Sequence, residues 1–195
     1  NALYKEVFRE SVDSDTFELQ YRKAFVQNIK KLVKAEILSA KLLDFDLKKI
    51  SEAMQPERDS LFKYLGLQIL IDRYFTRHNN KIMETPQAFW MRVAMGLAIN
   101  EENKEERAIE FYNLFSNMLY TPSTPTLFNS GTTHSQLSSC YLNTFDDSID
   151  GIFEGVWQEA RKSKYAGGLG FDVTNFRSSG AFIKGTNGIS GGLVP

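Results

Sequence analysis

The stretch from Tyr120 to Cys140, YTPSTPTLFNSGTTHSQLSSC, separates two parts of the chain with different patterns. Before it, apolar residues recur at helical spacing; after it come short β-branched and aromatic runs broken by glycine. The stretch holds Pro122 and Pro125, many hydroxyls and, at its end, the only cysteine. Proline cannot continue a helix and lacks a donor, and Ser, Thr and Asn favour local backbone hydrogen bonds over regular structure. The expectation is a loop with free N–H and O–H groups, suited to an anionic, hydroxylated ligand, with a thiol for redox or nucleophilic chemistry. The same residues also read as a Ser/Thr-rich turn before a cysteine buried as a small core hydrophobe.

A chain of 195 residues can bury a real core as one domain, or one domain with an appendage. A hydrophobic fraction of 42% and an aromatic fraction of 13% fit a folded soluble protein. The formal net charge of -1 gives no electrostatic case for nucleic acid or an anionic membrane. One cysteine cannot form an internal disulfide, so nothing points to secretion, and a cytoplasmic setting is expected. No apolar run reaches the roughly 18 residues of a membrane span. The chain starts at Asn1 and stops on Gly191-Gly192-Leu193-Val194-Pro195, so both ends read as cut from something larger.

In chain order, Phe17 to Leu38 predicts a charged amphipathic helix capped by Ser14 or Asp15. Asp44 to Met54 predicts a short helix capped by Asp46 and ended at Gln55-Pro56. A longer helix is expected from Asp59 to Phe75, burying Leu61, Leu65, Ile69, Leu70 and Tyr74. Arg77 to Lys81 is a polar turn centred on Asn79-Asn80, with His78 exposed. Thr85 capping and Pro86 in the first turn start a helix to about Asn100, in which Gly96 suits close packing. A further helix from Asn103 to Leu119 would bury Ile109, Tyr112, Leu114, Phe115 and Met118. Residues 1–119 therefore predict a helical region and 120–195 a second region. In the latter, Ser138–Thr144 reads as a strand, and Asp146-Asp147-Ser148 as the cap of a helix from Ile149 to Lys164. Tyr165–Val173 reads as a glycine-dense strand, and Arg177–Gly192 as a loop. Glycines inside a strand weaken it unless a ligand or another backbone must come close.

Taken together, QAFWMRVAMGLA (87–98), STPTLFNSGT (123–132), QLSSCYL (136–142), AGGLG (166–170) and IKGTNG (183–188) resemble the large (α) subunit of class I ribonucleotide reductase. The resemblance covers about residues 60–195. It implies an N-terminal helical domain followed by the first part of a ten-stranded α/β barrel. An amino-terminal nucleotide-binding cone, common in the family, would precede it. The implied activity is reduction of ribonucleoside diphosphates to 2′-deoxyribonucleoside diphosphates by a thiyl radical and two reducing thiols, for DNA synthesis. Cys140, by its QLSSC context, matches one of the reducing pair. Its partner thiol and the radical cysteine would lie beyond residue 195, so these residues alone are expected to lack activity. Thr124, Ser139 and Gly168 match positions that hold the substrate diphosphate and ribose.

The resemblance also implies a site for a deoxynucleoside triphosphate or ATP effector. Asp147, Ser148 and Ile149 match its deoxynucleoside contacts, and Arg177 and Lys184 its phosphate contacts. Lys184 stands where many relatives carry Arg, which keeps charge but loses a bidentate fork. No metal or cofactor is expected on this chain; the radical would come from a metal-containing small (β) subunit and electrons from thioredoxin or glutaredoxin. Further implied partners are the remaining C-terminal part of the large subunit and a second copy, through the helix at 149–164. Two other readings stay open: an adenosylcobalamin-dependent (class II) reductase, and a non-catalytic nucleotide-binding or assembly module. Without the resemblance, Arg177 and Lys184 are ordinary surface cations.

Overall fold

A computed structural model of the chain describes residues 2–8, 16–164 and 167–194. The chain forms two compact units, Asn1–Leu137 and Ser138–Pro195.

In the first unit, α1 (Ala2–Phe8) precedes α2 (Phe17–Lys34). Thr16 Oγ1 caps α2 by accepting from the Leu19 N–H at 3.2 Å; Ser14 and Asp15, the expected caps, lie outside the described residues. Tyr21, Phe25, Ile29 and Leu32 form its buried stripe, at the spacing of one helix face. A 3-10 turn at Ala40–Asp44 leads to α3 (Leu47–Glu52). As expected, Asp46 caps α3, accepting from the N–H groups of Lys48 and Lys49.

The single helix expected over 59–75 is instead three pieces: a 3-10 turn at Pro56–Leu61, α4 (Tyr64–Ile69) and a π-helical turn at Leu70–Tyr74. The physical reason is Asp59. Its carboxylate points into the unit and accepts from Tyr4 and Tyr21 hydroxyls and Gln87 Nε2, so it does not start an outward-facing helix. Leu61, Leu65 and Ile69, expected in the core, are consequently exposed, whereas Leu70 is buried. The polar turn after it is a hairpin of β1 (Arg77–His78) and β2 (Lys81–Ile82). Asn79 and Asn80 supply its positive φ values, 50° and 60°, as a tight two-residue hairpin turn requires.

Helix α5 (Pro86–Ala98) is the axis of this unit, buried on almost every side. Thr85 occupies its N-cap position, but its hydroxyl makes no capping bond. Arg92, fully buried, donates Nε to Glu84 Oε1 at 2.7 Å and Nη1 to the carbonyls of Ser130 and Leu127 at 2.8 and 3.2 Å. Gly96 has no room for a side chain, because a Cβ there would sit 2.1 Å from the Gly131 nitrogen. Helix α6 (Lys104–Ser116) packs on α5 through Ala108, Tyr112, Phe115 and Ser116. Leu114 and Met118, expected to be buried, are exposed; Met118 has already left the helix at φ 58°.

Residues 120–137 were expected to open the second region as a loop. They belong to the helical unit, and Thr124–Asn129 forms a short helix, α7. Arg92 explains both differences, since it binds the carbonyls on which α7 ends.

In the second unit, β3 (Cys140–Thr144) pairs in parallel with β4 (Gly168–Asp172) through the crossover helix α8 (Ile149–Lys164). Cys140 stands opposite Gly168 and Thr144 opposite Asp172. Ser148 Oγ accepts from the Gly151 N–H at 3.0 Å in the first turn of α8. Phe145 packs under that helix, and Gly155 makes room for it: a Cβ there would lie 2.3 Å from the ring. The loop expected over 177–192 contains a hairpin, β5 (Phe182–Ile183) with β6 (Gly188–Ile189). Among the described residues no helix is long and apolar enough to cross a membrane.

Candidate functional site

Of the expected substrate residues, Thr124 lies in the first unit and Ser139, Cys140 and Gly168 in the second. Thr124 opens α7 and is exposed. Its Oγ1 lies 3.1 Å from the Tyr74 hydroxyl. The segment that carries it is rigidly tied: besides the Arg92 bonds, Ser130 Oγ donates to Val93 O at 2.7 Å and Asn129 Nδ2 to Gln136 O at 2.7 Å.

In the second unit the parallel register sets Cys140 beside Gly168, and the Gly168 N–H donates to Ser139 O at 2.6 Å. Cys140 is a free thiol and exposed, with Sγ 3.7 Å from Ser139 Oγ. It is not the buried core hydrophobe that the bland reading of this cysteine anticipated. A Cβ on Gly168 would lie 3.2 Å from Ser139 O and 3.9 Å from the Cys140 sulfur. A side chain at 168 would therefore cover the thiol. The neighbouring Gly167 has a packing cause, while Gly170 meets only the exposed Leu142 side chain, which can move aside. A Cβ at Gly167 would meet the Tyr141 ring at 2.8 Å, and one at Gly170 would meet Leu142 Cδ2 at 2.6 Å.

Four of the five expected effector residues gather around one open groove of about 380 Å³: Asp147, Ser148, Ile149 and Arg177. Arg177 is oriented by Asp147, with Nε at 2.6 Å from Oδ2 and Nη2 at 3.2 Å from the Asp147 carbonyl. That fork uses two of the guanidinium nitrogens and keeps the cation at the groove wall. Lys184 is not in the lining; it lies exposed on the turn of the β5–β6 hairpin, while its neighbour Ile183 does line the groove.

Over residues 60–135 the chain matches the ribonucleotide reductase all-alpha domain, and over 138–195 the ribonucleotide reductase barrel domain. The chain belongs to the ribonucleotide reductase large-subunit family. It is 49% identical over 196 residues to the ribonucleoside-diphosphate reductase subunit alpha of Chlamydia trachomatis, covering 100% of this chain and 19% of that relative. To the subunit alpha of Chlamydia pneumoniae it is 54% identical over 159 residues, which is 81% of this chain and 15% of the relative. To the large subunit of vaccinia virus it is 45% identical over 148 residues, 75% of this chain and 19% of the relative. The chain thus spans about a fifth of the length of the C. trachomatis and vaccinia relatives.

The two matched domains of this ribonucleotide reductase chain meet between residues 135 and 138, where the compact units also divide. Beside the expected residues stands a polar cluster that the sequence reading missed. Glu159, buried on α8, accepts from Asn143 Nδ2 and from Lys162 Nζ at Oε1, while Oε2 has no partner among the described residues. A glutamate at helical spacing among charged neighbours reads as solvated; only the parallel strand beside α8 turns it inward. Tyr74 was expected as a core residue and proves to be half-buried, with its hydroxyl on Thr124. The Tyr74 signal does not exist until the helix over 59–75 is seen to break.

Proposed function

We propose that this chain forms the helical domain and the start of the catalytic barrel of a ribonucleoside-diphosphate reductase large subunit. The observation that carries the reading is the exposed Cys140 thiol beside side-chain-free Gly168, with the Ser139 hydroxyl next to it. In the proposed chemistry Cys140 and a second thiol outside residues 1–195 each give one electron and one proton. The substrate C2′–O bond breaks, the oxygen leaves as water, and the two sulfurs join as a disulfide. A small subunit supplies the initiating radical, and thioredoxin or glutaredoxin reduces the disulfide again. Ser139 and Thr124 offer hydroxyls to the ribose and diphosphate, and adjacency to Ser139 keeps substrate and reductant in register.

The groove walled by Asp147, Ser148, Ile149 and Arg177 is proposed to take a deoxynucleoside triphosphate or ATP effector, with Lys184 reaching a phosphate from the hairpin turn. Ile149, Phe153 and Trp157, at i, i+4 and i+8 on α8, present one exposed apolar face. That face supports pairing of two copies through this helix.

Cys140→Ser in the complete enzyme tests the central assignment. Serine is close in size but cannot form a disulfide, so multiple turnovers should stop while melting temperature and substrate affinity stay near wild type. Normal turnover, or a loss explained wholly by unfolding, would defeat it.

A further inference from the structure

Tyr74 is the last residue of the π-helical turn at Leu70–Tyr74, which closes with the Phe75 N–H on Leu70 O at 2.9 Å. Such turns are rare, cost hydrogen-bond geometry, and recur at functional positions. Here the extra residue in the turn rotates Tyr74 by about 100° from where a continued α-helix would aim it. Its ring lands on Phe128, with centroids 4.7 Å apart and planes at 32°, and its hydroxyl lies 3.1 Å from Thr124 Oγ1. Thr124 and Phe128 are one helical turn apart on α7, so a single tyrosine grips both. Nothing in packing alone requires the hydroxyl, because phenylalanine would cover Phe128 equally well.

We propose that Tyr74 is a positioning residue for the substrate: its O–H donates to Thr124 Oγ1 and so directs the threonine proton toward a diphosphate oxygen. This rests on the reading of Thr124 as a substrate contact. A threonine hydroxyl has one proton and two lone pairs. Of the two hydroxyl types a phenol is the better donor. With Tyr74 donating, the Thr124 proton is the one left to give, and a chain of two hydrogen bonds polarises it further. Without Tyr74, the Thr124 rotor is free to turn its proton away.

The test is a double-mutant cycle in the complete large subunit, with cytidine 5′-diphosphate affinity measured by calorimetry and turnover and melting temperature measured alongside. Tyr74→Phe keeps the ring and should weaken binding roughly two- to tenfold, the range of one net hydrogen bond, with turnover at saturation and melting temperature unchanged. Thr124→Val should weaken binding at least as much, and adding Tyr74→Phe to it should cost nothing further. If Thr124→Val weakens binding but Tyr74→Phe does not, or if the Tyr74→Phe loss persists undiminished beside Thr124→Val, Tyr74 does not act through Thr124 and the inference falls alone. If Thr124→Val binds as wild type, the assignment of Thr124 falls and the inference with it. A fall in melting temperature would not rescue a null cycle, since the coupling is read on folded protein.

Discussion

The helical unit and the unit that follows it treat burial in opposite ways. The first encloses an arginine completely and gives every direction of its guanidinium an acceptor: Glu84 on one side, the Leu127 and Ser130 carbonyls on the other. The second leaves Leu142 at 88% exposure and Phe153 at 67%, although its helix and strands are well formed. Among the described residues its sheets are one parallel pair and one two-stranded antiparallel hairpin, whereas parallel sheets in proteins are covered on both faces. The first unit holds nearly all of the buried apolar core, although Leu61, Tyr64 and Leu65 stay exposed on it. The second has local structure ahead of burial, as fits a barrel domain of which relatives carry far more chain. Secondary structure and a completed core are thus separate achievements, and only the first is visible in residues 138–194.

Breaking the comparison at its firmest point gives the largest expected effect. Arg92→Ala leaves the buried Glu84 carboxylate without a countercharge, held only by the Thr76 N–H, and strands two carbonyls; it should cost about 3–5 kcal/mol in urea unfolding of the helical unit. Arg92→Met with Glu84→Met should recover only part of this, because the Leu127 and Ser130 carbonyls still lack a donor. Full recovery would show that the ion pair, not the tie to α7, is what matters.

The groove proposed for the effector sharpens the other half of the comparison. Arg177 and Asp147 remain partly in water, so their pair contributes little to folding, about 0–1 kcal/mol. Arg177→Ala in the complete subunit should therefore spare melting temperature. It should weaken deoxynucleoside triphosphate binding by about 1.5–3 kcal/mol, the worth of a hydrogen bond to a charged group. Unchanged effector affinity would remove Arg177 from the site.

The smallest effect is a slope. Burial pushes the Asp59 carboxyl up from its ordinary range, outweighing the hydrogen bonds from Gln87, Tyr4 and Tyr21 that pull it down. The folded state then holds this proton more tightly than the unfolded state does. Its contribution to stability is fully present below the unfolded value of about 4 and is lost as pH rises through the higher folded value. Melting temperatures of wild type and Asp59→Asn, compared from about pH 4 upward, should show wild type losing ground to the variant. Parallel pH profiles would mean that Asp59 titrates alike in both states.

What was legible in the sequence followed the same division. Caps and turns depend on neighbours in the chain, so Asp46, the Asn79-Asn80 turn, the span Ile149–Lys164 and most of the strand expected at 138–144 could be read. The helix expected at 59–75 could not, because a carboxylate that binds two distant tyrosines looks, locally, like an N-cap. The loop expected after Tyr120 failed for the same reason: its partner, Arg92, lies 35 and 38 residues before the carbonyls it binds. Four of the five residues expected at an effector site line one groove, while Lys184 stays on the hairpin turn. The family resemblance supplied those positions; periodicity alone would have left Arg177 a surface cation.

The Arg92 tie has a consequence for how variants of this protein should be diagnosed. Thr124 is presented by a segment whose shape is dictated from the centre of a neighbouring helix. With Thr124 in its proposed substrate role, a substitution deep in that helix imitates an active-site lesion, raising the substrate requirement in an assay while no substrate-facing atom has changed. Screens that sort variants by activity alone would file such cases under chemistry. Pairing each assay with a melting curve would return them to packing, where they originate.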